Sequence, residues 1–341
     1  MLTTNLKDNL IQISESVEPI IKELLIRDVE AKNADVAYYQ CGVGGKRLRP
    51  ALVVLSGQVF DGDYEGLLYP AAAIEILHNS TLIIDDIIDH SDFRRDKPTA
   101  WKKFGNSIAE CSAFVYLASV FAGLNHTNNS SKLIDLYSKT LKIIIDGEIK
   151  DILLERSGRE DEDFVVKNRY EQITTEDYFE MISQKTVVLL QASCKAGAIY
   201  ANASDEQVDT IGDFGFNLGM AFQIRDDMLD IFGNEKEFGK KIGKDIIEKK
   251  MGNFVILSAI EQLKQDEKDI VCDLLCSSSP ITDENIKTIT SLIEKTNAKQ
   301  TAEITSNSYI QNAFVSLEKL PQNEYSEKLS ELAKYVIERN K

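Results

Sequence analysis

Proline is scarce in this chain and unevenly placed. Only six prolines occur among 341 residues, and the span between Pro98 and Pro280 contains none. Because proline removes a backbone donor and clashes with the preceding helical turn, a long span without it favours helix. Apolar residues also recur at three- and four-residue spacing, as at Leu133, Leu136 and Tyr137, and strict alternation is rare. The sequence therefore predicts an all-α fold.

Cysteine is also scarce, with five scattered residues at Cys41, Cys111, Cys194, Cys272 and Cys276. An odd number without regular spacing is unlike the disulfide framework of a secreted protein and favours a reducing cytoplasm. Cys272 and Cys276 lie one helical turn apart, but no second Cys or His pair accompanies them. A structural zinc site takes four such ligands, so we interpret the pair as ordinary helix residues.

The chain has no apolar run of membrane-spanning length. The first residues already include Asp8, Glu15 and Glu18, where a signal peptide would need an uninterrupted apolar stretch. The longest apolar runs, such as residues 186–193, fall well short of the roughly 20 residues that cross a bilayer. We expect no leader peptide and no membrane span.

Positive charge is in deficit, since 39 Lys and Arg face 55 Asp and Glu and give a formal net charge of −16. No basic block is long enough to follow a phosphate backbone, which argues against a nucleic-acid partner. The composition is compatible with one large domain or two ordinary ones. The charged stretch 155–170 is interpreted as a solvated surface loop. Capping patterns predict helix starts at Thr174 and near Thr282.

Aspartates form the most informative pattern. Asp85, Asp86 and Asp89 recur with identical spacing 141 positions later. The second set is Asp226, Asp227 and Asp230. On a helix, residues i and i+4 share a face while i+1 is turned by about 100°, so each cluster places two carboxylates side by side and a third at their shoulder.

Both aspartate clusters lie in apolar sequence, where three close carboxylates repel one another unless a cation is present. Ligation by oxygen alone selects hard metals, and Mg²⁺ commonly joins a few carboxylates to substrate phosphates. A single such motif is equally well explained as a helix cap or a surface patch. Two with identical spacing predict two metal-binding clusters that together grip a diphosphate.

Basic residues accompany both aspartate clusters. Lys46, Arg47 and Arg49 precede a predicted helix start at Pro50, and helix N-termini favour anions. The others follow the clusters in sequence: Arg94, Arg95, Lys185, Lys240, Lys244 and Lys250. Each alone could be a solvated surface charge. Together they predict a site for a strongly anionic substrate.

These motifs resemble those of the trans-isoprenyl diphosphate synthases, the polyprenyl synthetase family. The resemblance begins at about residue 40 and rests on the motifs just described together with His78, Gly147, Glu148, Thr186, Gln223 and the segment 239–245. It implies a single domain over residues 1–341, a helical bundle around a deep central cavity, and a homodimer. It also implies a cytoplasmic prenyltransferase that joins isopentenyl diphosphate to an allylic diphosphate.

The resemblance also implies roles for individual residues. The principal Mg²⁺ ligands would be Asp85, Asp89 and Asp226, and Asp86, Asp227 and Asp230 would complete the clusters directly, through water or in the second shell. The allylic diphosphate would be held by Arg94, Lys185, Gln223, Lys240 and Lys250. Isopentenyl diphosphate would be held by Lys46, Arg49, His78 and Arg95. Thr186 and Gln223 would offer oxygen dipoles to an allylic carbocation.

Product length is expected to depend on the two residues that lie four and five positions before the first aspartate, where bulky aromatics stop growth early in this family. Here they are Thr81 and Ser80, both small, which predicts a product of geranylgeranyl length or longer, in the geranylfarnesyl to hexaprenyl range. Leu77, together with Ile74, Phe114 and Tyr116, is then a candidate for the cavity floor. Alternatively, Ser80 and Thr81 serve only close helix packing.

Three other functions stay open on the sequence. A farnesyl diphosphate synthase would stop at a shorter product. A terpene cyclase shares the Asp-rich motif, but its second metal motif is of an Asn/Ser/Glu type, so the repeated aspartate cluster argues for elongation. A catalytically silent subunit of a heteromeric synthase usually loses one cluster or its basic residues, and this chain keeps both.

Overall fold

Helices provide nearly all the regular structure of residues 4–233, 243–277 and 279–338, which the computed structural model describes. In chain order the α-helices are α1 Thr4–Ile26, α2 Ala34–Gly42, α3 Leu48–Gln58, α4 Tyr64–Ile88, α5 Ala100–Phe104, α6 Asn106–Leu124, α7 Ser130–Leu154, α8 Asp163–Asn168, α9 Thr175–Ile182, α10 Val188–Tyr200, α11 Asp205–Phe232, α12 Lys244–Ile247, α13 Phe254–Gln262, α14 Gln265–Cys276, α15 Asp283–Glu294, α16 Ala298–Glu318 and α17 Glu324–Glu338. A 3₁₀ turn spans Ala31–Asn33, and a π-helical turn spans Ser183–Val187. The predicted all-α class is confirmed.

Local sequence signals set several helix boundaries. Thr174 and Thr282 each cap a helix, and each forms a reciprocal pair with the residue three positions later. Asn253 caps α13 by accepting hydrogen bonds from the amides of Val255 and Ile256. Cys272 and Cys276 lie in α14, as expected for ordinary helix residues.

Two connecting segments differ from the sequence-based expectation. The stretch 155–170, interpreted from the sequence as a solvated loop, contains the short helix α8. Arg159 connects this stretch to the end of α4 by donating a hydrogen bond to the Ile88 carbonyl at 3.0 Å. A two-residue hairpin pairs Phe93–Arg94 with Lys97–Pro98 directly after α4. Strands this short produce no alternation that the sequence could reveal.

The apolar interior falls into two groups of buried side chains. The larger is built mainly from α1, α3, α4, α6, α10 and α11, and the smaller from α9, α11, α13, α15 and α16. Helix α11 contributes to both, with Phe214 in the larger and Ile224 in the smaller. Because the second aspartate cluster lies on α11, packing on two sides fixes that helix and hence the cluster.

Two helices are long and apolar enough to meet a length-and-composition test for membrane spans, which the sequence analysis did not anticipate. They are α4, whose most apolar stretch is 72% buried in the protein, and α6, for which the figure is 44%. Burial identifies α4 as a core helix, since core helices pass the same test. On α6, Phe114 is 72% exposed and Phe121 is 49% exposed, so an apolar face is open to contact.

Candidate active site

The first aspartate cluster lies at the C-terminal end of α4. Asp85 and Asp86 belong to the last helical turn, and Asp89 follows the helix as its C-cap. Arg94, on the hairpin that follows, donates to both oxygens of Asp86 at 2.9 and 3.0 Å and to Asp85 at 3.2 Å. Burial raises the pKa of Asp86, which is only 1% exposed, while Arg94 opposes that rise. Asp86 is therefore a largely buried partner of Arg94.

Lys185 is surrounded by three carboxylates. Its ammonium lies 2.6 Å from Asp151, 2.7 Å from Glu148 and 3.3 Å from Asp85. Burial alone would lower the pKa of Lys185, but these carboxylates raise it well above its ordinary value. The predicted Lys185 is thus brought to the first aspartate cluster, as a fixed cation.

Glu148 and Asp151 were not among the predicted site residues. They lie three residues apart on α7, so their side chains share one face, and the available signals were that spacing and the place of Glu148 among the residues that carry the resemblance. Burial raises the pKa of Glu148 to about 7. Burial would also raise the pKa of Asp151, but Lys185 and Lys250 hold it below its ordinary value.

The second aspartate cluster lies in the last two turns of α11. Asp227 is 3% exposed and accepts hydrogen bonds from the Gln223 side chain at 3.0 Å and from the Phe254 amide at 2.8 Å. Burial raises its pKa well above the ordinary value. Both oxygens of Asp227 are therefore engaged within the protein, and Gln223 is oriented by one of them.

Asp230 accepts hydrogen bonds from the backbone amides of Lys244 and Asp245, both at 3.0 Å, one to each carboxylate oxygen. Burial raises its pKa to about 6. Asp245 in turn accepts from the Asn253 side chain at 2.8 Å. The third aspartate of the cluster thus fixes the start of α12, and Asp245, the last residue of the segment 239–245, is a further carboxylate to which the sequence analysis assigned no role.

Lys250 lies beside the first aspartate cluster, although it follows the second in sequence. It follows α12 in sequence, and its ammonium lies 3.9 Å from Asp89 and 3.3 Å from Glu248. Burial alone would lower the pKa of Lys250, whereas Asp151 and Asp89 raise it. The segment after the second cluster therefore reaches Asp89 of the first cluster through Lys250. Lys240 lies outside the described residues.

A second group of cations lies beside the first cluster. The guanidinium of Arg95 approaches Gly45, where a Cβ atom would lie only 2.9 Å from it. The Nε of Arg49 is buried and finds no hydrogen-bond partner within residues 4–233, 243–277 and 279–338. Burial lowers the pKa of Arg49 to about 10, and it also lowers the pKa of His78, assisted by Arg49 and Arg95. These groups bring positive charge and hydrogen-bond donors together, which suits an anion, and exposed Lys46 stands in the adjoining loop.

Arg47 has a different role from its basic neighbours. It is 4% exposed and donates to Glu75 at 2.8 Å, to Glu18 on α1 at 2.8 Å and to the Cys41 carbonyl at 2.8 Å. All three partners are protein groups, so Arg47 ties α1, α2 and α4 together. Of these three basic residues, which are neighbours in sequence, Arg47 therefore holds helices together, whereas Lys46 and Arg49 stay candidates for the site.

An apolar cavity of about 330 Å³ opens beside Asp85 and Lys185. Ser80, Thr81 and Ile84 of α4 line it, together with Ala113 and Leu117 of α6. The remaining apolar wall comes from α7 and α10: Leu141, Ile144, Ile145 and Leu189. His78, Arg49, Glu148 and Thr186 stand in the same cavity. A polar end and an apolar interior therefore share one space.

Some predicted floor residues do not line this cavity. Leu77 is 1% exposed and packs in the larger apolar core, and Ile74 lies there too. Phe114 points outward and is 72% exposed. Tyr116 is buried, and its hydroxyl accepts a hydrogen bond from the Cys41 amide. Helix α6 presents Ala113 and Leu117 instead, because residues four apart share a helical face.

The donor chemistry of the two clusters suits a hard divalent cation. Among the residues that the structure describes, no three His, Cys, Asp or Glu side chains converge as a closed metal site. Mg²⁺ does not need one, since it is usually bound through one or two carboxylates and completed by waters and substrate phosphates. Asp85 and Asp89 are the partly exposed oxygens of the first cluster, with side chains 20% and 25% exposed. They fit such an ion.

Comparison with known proteins identifies the class. A family model described as polyprenyl synthetase matches residues 30–293. Geranylgeranyl diphosphate synthase of Sulfolobus acidocaldarius is 34% identical over 339 residues, covering 97% of each chain. Heptaprenyl diphosphate synthase component 2 of Bacillus subtilis is 31% identical, covering 96% of this chain and 89% of that one. The chain belongs to the polyprenyl synthetase family and is a prenyltransferase of the trans-isoprenyl diphosphate synthase type.

Solved structures share the architecture over nearly the whole chain. Geranylgeranyl pyrophosphate synthetase from Pyrococcus horikoshii superposes with a TM-score of 0.87 at 27% identity, covering 98% of this chain and 99% of that one. A polyprenyl synthase from Caulobacter crescentus, complexed with calcium and isoprenyl diphosphate, superposes with a TM-score of 0.85 at 27% identity, covering 98% of each chain. The helical bundle is therefore that of the isoprenoid synthases.

Proposed function

We propose that this protein condenses isopentenyl diphosphate with an allylic diphosphate to give an all-trans product of geranylgeranyl length or longer. The observation that supports this most is a cavity with Asp85, Glu148 and Lys185 at one end and an apolar interior behind them. Ser80 and Thr81, both small, leave that interior open beside α4. The apolar wall suits a growing prenyl chain, and the charged end suits its diphosphate.

We propose Asp85, Asp89 and Asp226 as the ligands of Mg²⁺, which would neutralise and orient the diphosphate when bound. Asp86, Asp227 and Asp230 are assigned a supporting role, because each accepts hydrogen bonds from the protein. Arg94 donates to Asp86, and the Gln223 side chain and the Phe254 amide donate to Asp227. Backbone amides at the start of α12 donate to Asp230. Such contacts fix the helix ends from which the ligands project.

The allylic diphosphate is assigned to Arg94, Lys185, Gln223, Lys240 and Lys250. Arg94, Lys185 and Lys250 are now paired with carboxylates, and a bound diphosphate would share them. Isopentenyl diphosphate is assigned to Lys46, Arg49, His78 and Arg95, because the buried Nε of Arg49 has no hydrogen-bond partner among the described residues. Two anion sites on either side of the cavity would bring the reacting carbons together.

The reaction then follows from charge. The bond between the allylic carbon and its diphosphate breaks, and Arg94, Lys185 and Lys250 stabilise the departing anion. The electrons of the isopentenyl double bond attack the allylic carbocation, and the released diphosphate takes the proton that is lost. Thr186, which lines the cavity, and Gln223 are assigned to offer their oxygen dipoles to the cation, and the apolar wall would exclude water that could quench it.

A second copy of the chain is proposed to cover the exposed apolar faces of α6 and α7. The exposed residues are Ile108, Phe114, Phe121, Ile143, Ile145 and Ile149. Exposed apolar side chains concentrated on two adjacent helices mark an interaction site. Light scattering should give a dimer mass, and Phe114→Glu should shift it towards the monomer. A monomeric wild-type protein at micromolar concentration would refute the homodimer.

We assign the enzyme to the cytoplasm.

The test is incubation of purified protein with Mg²⁺, labelled isopentenyl diphosphate and, separately, dimethylallyl, geranyl, farnesyl and geranylgeranyl diphosphates. We expect metal-dependent elongation, abolished by Asp85→Ala or Asp226→Ala, with products longer than farnesyl diphosphate. Farnesyl diphosphate as the sole end product would refute the proposed length.

A silent subunit of a heteromeric synthase is the second candidate, because two relatives are named as a component of a heptaprenyl diphosphate synthase. In that case the chain alone would elongate none of the four primers. The retention of both aspartate clusters and their cations favours an active enzyme.

A further inference from the structure

Lys185 and Thr186 are presented by a π-helical turn, Ser183–Val187, inserted between α9 and α10. Such turns carry one extra residue, and in proteins they frequently occur at functional sites. The turn is what aims both side chains into the cavity. Its position relative to α7 and α11 therefore decides where the lysine and the threonine meet the substrate.

Gly147 of α7 lies directly against this π-turn. A Cβ atom at position 147 would come within 2.4 Å of the Lys185 amide nitrogen and 2.7 Å of the Gln184 carbonyl carbon. Real Cβ atoms essentially never approach within 3.0 Å, and backbone atoms cannot rotate away as a side-chain end can. The next residue along α7, Glu148, forms the ion pair with Lys185. Only glycine permits this approach.

Gly219 of α11 contacts the same turn from another helix. A Cβ atom at position 219 would lie 2.8 Å from the Cγ1 atom of Val187 and 3.2 Å from its Cα atom. Residues four and seven positions later share the face of Gly219, and these are Gln223 and Asp226. The helix that carries the second aspartate cluster is thus placed against the turn through a glycine.

We propose that Gly147 and Gly219 are positioning residues that together set where the π-turn holds Lys185 and Thr186 in the cavity. Because neither glycine has a side chain, α7 and α11 can each contact the π-turn closely at that position. The turn is therefore held between the two helices. The catalytic consequence rests on the proposed function, whereas the placement of the turn does not.

The expected displacement is large enough to matter. Gly147→Ala requires the turn to retreat by about 0.6 Å, the difference between 2.4 and 3.0 Å. Misplacement of reacting groups by about 1 Å can cost on the order of 100-fold in rate. We therefore expect kcat to fall about 10- to 100-fold. The KM for isopentenyl diphosphate should stay within about threefold, because Arg49 and His78 lie on α3 and α4.

The matched control is Gly215→Ala, one turn before Gly219 on α11. Its Cβ atom would lie 2.9 Å from Cys194 Sγ and 2.9 Å from the Leu190 carbonyl, both on α10 rather than on the π-turn. It should lower the midpoint of urea unfolding as the other glycine variants do, yet leave kcat near the wild-type value. If Gly215→Ala and Gly147→Ala reduce kcat equally at matched stability, the glycines are merely structural and the proposal fails.

A double-mutant cycle keeps the proposal testable if Gly147→Ala does not fold. Val187→Ala removes the methyl carbon that a Cβ at position 219 would strike, and its remaining closest atoms stand at 3.2 and 3.3 Å, which is tight but tolerable. We expect Gly219→Ala to lose activity, and the variant carrying both changes to recover to within about threefold of Val187→Ala. Additive losses would overturn the proposal, since touching residues whose clash is relieved must couple.

Amide hydrogen exchange supplies a readout independent of turnover. In Gly147→Ala the amides of the π-turn should exchange faster than in wild type, whereas in Gly215→Ala the loss of protection should lie in α10. Unchanged exchange at the turn in Gly147→Ala refutes the proposed placement. If the wild-type protein elongates no primer, the proposed function fails, but this exchange comparison still decides the role of the glycines.

Discussion

The carboxylate of Asp227 accepts a 3.0 Å hydrogen bond from the side chain of Gln223, one helical turn earlier on α11. Its other oxygen accepts from the Phe254 amide at 2.8 Å, so this aspartate joins α11 to the start of α13. Asp226, its neighbour in sequence, is turned about 100° away around the helix. Two adjacent carboxylates of one motif therefore stand in different surroundings.

Asp227→Asn should lower stability, because an amide nitrogen replaces one acceptor, so that Gln223 must give up its present orientation or face a second donor. We expect a loss of about 1–3 kcal/mol in the free energy of unfolding without Mg²⁺. Asp226→Asn is the control and should abolish elongation but cost less of that free energy, because the Gln223 side chain and the Phe254 amide donate to Asp227 and not to Asp226. Urea unfolding of both variants measures the contrast, and equal destabilisation by the two would contradict it.

The hairpin after the first aspartate cluster holds two non-glycine residues in the left-handed region, Arg95 at φ 53° and Asp96 at φ 59°. Two-residue hairpin turns of this type favour glycine at such positions. Asp96→Gly should raise the free energy of unfolding by up to about 1 kcal/mol, because it removes that conformational cost. Asp96→Ala, which deletes the carboxylate but keeps a Cβ, should lower it. A stabilising alanine would show that charge rather than backbone conformation decides.

His78 should make stability depend on pH. Its pKa lies well below the ordinary value because burial and Arg49 disfavour the charged form, so the unfolded chain binds a proton that the folded one does not. The free energy of unfolding contributed by His78 is therefore complete above about pH 6.5 and falls as pH drops, by at most about 1.4 kcal/mol per pH unit.

Urea unfolding between pH 5 and 8 tests this, with His78→Gln compared to wild type. Below pH 6.5 the wild-type protein should lose more stability than the variant, whereas above pH 7 the difference between them should be constant. The matched control is His126→Gln, at an exposed histidine. Parallel pH profiles for wild type and His78→Gln would show that His78 is not held neutral.

Substitutions of residues that line the cavity should change the product length, whereas substitutions elsewhere should leave it unchanged. Thr81→Phe fills the space beside α4 and should shorten the product, while Leu117→Ala opens the α6 wall and should lengthen it. Chromatography of the products with farnesyl diphosphate as primer measures both.

The controls for product length come from the floor residues that the sequence suggested. Leu77→Ala should leave the product unchanged but cost about 2–5 kcal/mol in stability, because Leu77 packs in the core. Phe114→Ala should leave the product unchanged as well, since the side chain is exposed. A longer product from either variant would mean that the cavity extends past α4 or α6 during elongation.

Sequence by itself determined the helical class, several helix starts and the two aspartate clusters. These depend on local chemistry: capping hydroxyls at Thr174 and Thr282, the scarcity of proline, and the spacing of Asp85 to Asp89, which places both on one face of a helix. Local rules of this kind need no knowledge of the neighbouring helices.

Tertiary structure alone decided which predicted residues meet. Arg47 and Arg49 are two residues apart in sequence. Arg47 donates hydrogen bonds to Glu18 and Glu75, whereas the buried Nε of Arg49 has no partner among the described residues. Phe114 faces outward although its apolar side chain suggested a cavity floor. The physical reason is that side chains project from all sides of a helix. Only the packing of other helices against it determines which side lies in the core, in the site or at the surface.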